Sequence, residues 1–102
     1  MDKTFLKELI SNGTTTDKCY FEYATIVACN LDRRLHEQLF QIINGPVSDG
    51  DVIDKSLRDI LIDLGLVMRV CVNGAQGFTG GSYFAYTVCE KIKEINEGKI
   101  GV

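Results

Sequence analysis

The chain has no tryptophan, one proline (Pro46) and one histidine (His36) among its 102 residues. It also has no apolar run near the roughly 18 residues that a bilayer span requires. Its opening stretch, "MDKTFLKELISNG", interleaves charges with apolar residues instead of following a basic segment with an apolar block. That pattern excludes a signal peptide and predicts a cytoplasmic protein. The four cysteines, Cys19, Cys29, Cys71 and Cys89, include no Cys-x-x-Cys pair, and His36 stands at ligand spacing from none of them. A structural zinc site normally brings at least one close pair, so neither metal nor cofactor is expected. Each cysteine sits beside apolar or aromatic neighbours, which predicts reduced thiols buried in the core.

Positive charge is scarce as well. The net charge is −3, the isoelectric point is near 5.0, and Arg33-Arg34 is the single adjacent basic pair. A nucleic-acid binder gains affinity by releasing counterions from phosphate against a basic patch, and no such patch is legible here. No Ser or Cys stands at a recognisable nucleophile spacing from His36, and no pair of carboxylates stands out for acid–base work. A non-enzymatic protein is therefore expected. What the chain does have is 45% hydrophobic and 25% charged residues, an ordinary balance for one soluble domain spanning 1–102.

Periodicity predicts a mostly helical α+β fold. Phe5, Leu6, Leu9 and Ile10 place a short helix over 2–11, stopped by "SNG". Residues 17–30 mix strand-favouring Tyr, Phe, Ile and Val with helix-favouring Glu and Ala. The spacing of Phe21, Ala24, Ala28, Leu31, Leu35, Leu39 and Ile42 favours helix from 17 to 44, with an interruption near Asn30–Asp32. "NGP" at 44–46 stops it. Ser48 and Asp51 resemble a capping box for a helix whose stripe is Ile53, Leu57, Ile60, Leu61 and Leu64, with Gly65 as its cap. Strand-like runs at 66–72 and 82–88 then predict a β-hairpin closed by a long glycine-rich loop over 73–81, with Tyr83, Phe84 and Tyr86 carried into the core. Thr87 and Glu90 read as the capping box of a C-terminal helix with Val88, Ile92 and Ile95 inward.

This order, with Leu64-Gly65-Leu66-Val67 leading into a hairpin and Tyr86-Thr87 opening a terminal helix, resembles the second half of winged-helix domains of bacterial-regulator type. The resemblance covers about residues 57–95. It implies a wing at the hairpin and, if the DNA-binding side of the family carries over, duplex contacts at Lys55, Arg58 and Arg69 with Arg33 and Arg34 on the backbone. The first half departs from the pattern. Only Pro46 to Gly65 separates the stop from "LGLV", too short for two helices and a turn. Either a turn replaces the missing helix or the helices come from residues 17–44.

The loop "NGAQGFTGG" carries no Lys or Arg, so it is neither a P-loop nor a charged minor-groove wing. The helix after Pro46 exposes Asp49, Asp51, Asp54, Asp59 and Asp63 against Lys55 and Arg58, a balance that phosphate repels. Arg33 and Arg34, which follow Asp32 and precede Glu37, read as members of an i,i+3 or i,i+4 ion pair. The expected function is thus a small regulatory or inhibitory module that binds another protein, forms a homodimer through the apolar helices of 17–44, and presents Asn73, Gln76, Phe78 and Thr79 on its wing. Phe78 reads equally as an exposed anchor or as a core residue. A winged-helix DNA-binding regulator is the alternative.

Overall fold

A computed structural model describes residues 2–15 and 20–99. Among them the chain forms five helices and a three-stranded antiparallel sheet, an α+β arrangement that is mostly helical. The helices are α1 (Lys3–Thr15), α2 (Tyr20–Asn30), α3 (Arg33–Ile43), α4 (Lys55–Leu64) and α5 (Tyr83–Asn96). The strands are β1 (Val47–Ser48), β2 (Val67–Val72) and β3 (Ala75–Gly81), in the order β1-β3-β2. No helix of the described residues is long and apolar enough to cross a membrane.

α1 runs through "SNG" to Thr15 instead of stopping there. Gly13 is buried, and a Cβ added to it would run into the Phe84 ring. A mid-helix glycine costs about 1 kcal/mol relative to alanine, and the close approach of an aromatic ring from α5 outweighs that cost. Helix wins over 20–30 because Ala24, Val27 and Ala28, spaced by three and four, are all fully buried. The break falls at Leu31 and Asp32, as the pattern predicts. Asp32 caps α3 by accepting from the Leu35 N–H at 2.9 Å. Along the rest of the predicted stripe Leu31, Leu35, Leu39 and Ile42 are buried, whereas Phe21 is 65% exposed.

Between α3 and α4 a turn takes the place of a helix. Ser48 and Asp51 do form a local pair, with the Ser48 hydroxyl donating to the Asp51 carboxylate at 2.8 Å. They do not cap α4. That role falls to Asp54, whose carboxylate accepts from the Ser56 and Leu57 N–H groups at 2.7 and 3.2 Å. Two glutamines of α3 hold the turn. Gln38 Oε1 accepts from the Asp54 N–H, Gln41 Oε1 accepts from the Ile53 N–H and from Gln38 Nε2, and Gln41 Nε2 donates to the Asp51 carbonyl. Gln38 is fully buried, so backbone groups that a helix would satisfy internally are satisfied here by side chains. Leu57, Leu61 and Leu64 of α4 face the core, and Ile53 of the predicted stripe is 60% exposed because it lies on the turn.

The hairpin is shifted from its predicted register. Its second strand is 75–81, within the stretch expected to be loop, and 83–96 is helical. Asn73 and Gly74 form a two-residue connection in which both residues have positive φ, 51° and 81°. That Asn-Gly pair is a strong hairpin signal, and it outweighs the glycine content of the following segment. Gly77, at φ 90°, accommodates a bulge where Gln76 and Gly77 together oppose Cys71. The strand ends at Gly81, where a Cβ would collide with Ile43 of α3. Ser82 then caps α5: its hydroxyl accepts from the Ala85 N–H at 3.2 Å and donates to the Leu66 carbonyl at 3.0 Å. Thr87 and Glu90 consequently lie inside a helix and cap nothing.

α5 is the centre of the core. Phe84, Ala85, Val88, Cys89 and Ile92 are buried on it, and α1, α2 and α3 all pack against it. Only Phe84 of the three aromatics expected inward is buried; Tyr83 is 90% and Tyr86 48% exposed. Once the helix starts at Ser82, positions 84, 85 and 88 point inward and 83 and 86 point away.

The Gln38 network yields a stability prediction. Gln38→Leu leaves the Asp54 N–H without its acceptor while conserving size, and should cost about 1–3 kcal/mol in chemical denaturation. Unchanged stability would show that the turn does not depend on this bond.

Candidate functional site

Four of the five cations assigned to duplex contact are held by the protein's own carboxylates. Arg33 Nε lies 3.6 Å from Glu37, the i,i+4 of the two spacings expected, and Arg34 lies 3.3 Å from Asp54. Arg58 contacts Asp49 at 3.0 Å and Asp59 at 2.8 Å, with its side chain only 13% exposed. Arg69 grips both oxygens of Asp49, Nη1 at 2.6 Å and Nη2 at 2.7 Å, and Nη1 also donates to the Thr79 hydroxyl at 3.1 Å. Lys55 is exposed at the start of α4 and makes no ion pair among the described residues.

Asp49 sits where β1 ends, its N–H bonded to the Gly77 carbonyl at 2.9 Å. From there its carboxylate reaches Arg58 on α4 and Arg69 on β2, joining three elements. The hydrogen bonds from Arg69 are the main reason its carboxyl titrates below the ordinary aspartate value; desolvation opposes them as the next-largest effect, and the charges of Arg69, Arg58 and Lys55 each add a smaller lowering.

The wing residues are dispersed by the bulge. Asn73 and Gln76 are exposed at the tip and on the bulge. Thr79 is fully buried, bonded to Arg69 directly across the strand pair, and is therefore part of the packing and not a partner contact. Phe78 is half-buried on the outer face of the sheet, opposite Val70 on one side and Ser48 on the other, so it is neither a protruding anchor nor core. Successive strand residues alternate faces, so Met68, Val70 and Val72 share that outer face while Val67, Arg69 and Cys71 share the inner one.

A different surface emerges where β2 meets α5. Met68, 48% exposed, Tyr83 and Tyr86 line an open cleft of about 600 Å³ together with the buried Phe84 and with Thr14 of α1. This group was not singled out from the sequence, because Tyr83 and Tyr86 read as inward strand residues. The signal that reveals it is Ser82 as a helix N-cap. Exposed tyrosine and methionine around an apolar cleft are the side chains enriched at protein interfaces.

The cysteines divide by location. Cys29 and Cys71 are exposed, contrary to the expectation of buried thiols, and Cys89 is buried in the core; Cys19 lies outside the described residues. Cys29 falls on the outer face of α2 because Ala28 and Val27 take the inward positions, and Cys71 falls on the bulged end of the hairpin. Burial pushes the Cys89 thiol up to about 12. His36 Nε2 lies 3.0 Å from the Ala28 carbonyl, which makes that nitrogen the donor and ties the ring to the end of α2. Comparison with protein-family models, characterised proteins and solved structures gave no match for the chain.

Two predictions follow from this geometry. Iodoacetamide at neutral pH should label Cys29 and Cys71 and leave Cys89 unmodified until denaturant is added, as read by peptide mass mapping; early labelling of Cys89 would contradict its burial. Because the Asp49 carboxyl is depressed on folding, its stabilisation is present above the ordinary carboxylate pKa of about 3.9 and is lost as pH falls through the lower folded value. Asp49→Asn should therefore lower Tm at pH 7, and the gap from the unsubstituted protein should narrow as the pH falls below about 3.9.

Proposed function

We propose that this chain is a small, non-enzymatic binding and regulatory module that acts through protein–protein contact, built on a winged-helix-like arrangement. The order α3, β1, turn, α4, hairpin, with β3 between β1 and β2, supports the arrangement. The turn at 49–54 stands where a two-helix reader would have its first helix. The observation that carries the functional reading is the pairing of surfaces. The arginines that a duplex would need are engaged by Glu37, Asp49, Asp54 and Asp59, while Met68, Tyr83 and Tyr86 stand exposed around an apolar cleft. A phosphate would have to displace bidentate carboxylate bonds to reach Arg69, whereas an apolar side chain entering the cleft displaces only water.

The contact residues on this reading are Met68, Tyr83 and Tyr86, with Asn73 and Gln76 at the opposite, tip end of the same strand pair. Lys55 and Arg58, on α4, would be peripheral.

Fluorescence anisotropy with a mixed-sequence duplex at low salt should show no binding. Binding with a steep salt slope, lost in Lys55→Ala and Arg58→Ala, would establish the DNA-binding alternative instead. In parallel, affinity capture from the native cell by the unsubstituted protein should retain a partner that Tyr83→Ser/Tyr86→Ser loses. Removal of two such aromatic anchors typically costs tenfold or more in affinity. A partner set unchanged by that double substitution would refute the assignment of the cleft.

A further inference from the structure

β2 is an edge strand. It pairs with β3 alone, and among the described residues no hydrogen bond reaches the backbone of 68–72 from any other element. Half of its N–H and C=O groups therefore face outward along six residues, "VMRVCV". Natural sheets protect such edges with lysine, proline, a very short strand or an inward-turned charge. β2 has neither lysine nor proline, and at six residues it is far longer than β1, the two-residue strand on the other edge. Its bulge lies at Cys71, near the hairpin tip, and leaves 67–70 regularly paired. The single charge in the whole hairpin from 67 to 81 is Arg69, which is already neutralised by Asp49.

We propose that this edge pairs with a second copy of itself, antiparallel, so that two three-stranded sheets become one of six. The chain is acidic overall, yet the seam contains no acid, so two copies approach there without the repulsion that the net charge of −3 imposes elsewhere. The register follows from symmetry. A two-fold axis normal to the sheet requires a residue to face its own copy. An axis at Arg69 would set two guanidinium groups side by side. An axis at Cys71 would fall on the bulge, where β3 carries an extra residue and the strand bends. An axis at Val70 sets Val70 against the partner's Val70, Met68 against the partner's Val72, and Arg69 against the partner's Cys71. Met68, Val70 and Val72 then form a continuous apolar row across the seam on the outer face, the cross-strand contact that stabilises sheets.

This register has a consequence for the cleft. Met68 borders it at the start of β2, and an antiparallel partner strand arrives there with its C-terminal end, so the partner's Asn73 lies beside Tyr83 and Tyr86. The cleft is thus completed by the tip of a second hairpin, which unites the wing residues with the aromatic surface that a single copy keeps apart. The pairing stands whether or not a further protein binds there.

Sedimentation velocity tests it. At about 100 μM, where a micromolar Kd gives mostly dimer, the mass should be twice the 11.3 kDa of one chain. Val70→Lys should give the single-chain mass with an unchanged circular dichroism spectrum. In a Cys29→Ser/Cys71→Ser background, Val70→Cys should cross-link two chains on mild oxidation, and Val72→Cys, which faces Met68 in this register, should not. A single-chain mass for the unsubstituted protein at that concentration would overturn the proposal. So would a dimer that survives Val70→Lys and gives no Val70→Cys cross-link.

Discussion

The Asp49 carboxylate is the contact on which the sheet end of the molecule depends. It lies at the end of a two-residue strand, too short to be held by its own ladder, and is bonded by Arg69 from β2 and Arg58 from α4. It adds a charged tie among the turn after β1, α4 and the hairpin to the backbone bond from Asp49 to Gly77 and the packing of Leu57, Leu64 and Val67. Without it the partly buried Arg58 would retain only Asp59. With it, the missing helix between α3 and α4 is no defect. Gln38 and Gln41 saturate the backbone of the turn from one side, Asp54 caps α4, and Asp49 ties that turn to the sheet. The acids that make 49–63 look unsuited to phosphate, three of which lie on the turn before α4, are thus mostly structural partners.

Much of the helical half is legible in the sequence because its signals agree. The break at Leu31–Asp32, the stop at Asn44–Pro46 and the inward Leu57, Leu61 and Leu64 all combine an apolar stripe with a cap or a breaker. The hairpin was harder to read, since its signals conflict. "SYFAYTV" carries strong strand propensity, and only the burial of Phe84, Ala85, Val88 and Cys89 at helical spacing overrides it. "AQGFTGG" carries weak strand propensity, and only the Asn73-Gly74 turn and the pairing to both neighbours make it a strand. The extension of α1 through Gly13 depends on a ring 71 positions away in the chain, at Phe84, a contact that no local pattern encodes.

The candidate surface was less legible than the fold for the same reason. Reading 82–88 as a strand sends Tyr83 inward, whereas a helix opening at Ser82 sends it out. Reading 73–81 as a loop leaves Thr79 and Phe78 available to a partner, whereas a strand buries the first and sets the second opposite Val70, half-buried. The scarcity of cations, by contrast, was visible at once, and the structure adds to it by showing four arginines occupied. Among the described residues, the apolar features left open are the β2 edge and a tyrosine-lined cleft at one end of it.

The cations near the sheet, Arg58 and Arg69, are committed to the protein's own carboxylates. Carbon-13 NMR titration of the Asp49 side chain measures this directly. A midpoint below about 3.9, moving up toward that value in Arg69→Gln, is the expected result. A midpoint at or above the ordinary aspartate value, insensitive to Arg69→Gln, would mean that the guanidinium is not held there and would return Arg69 to the surface as a cation open to phosphate.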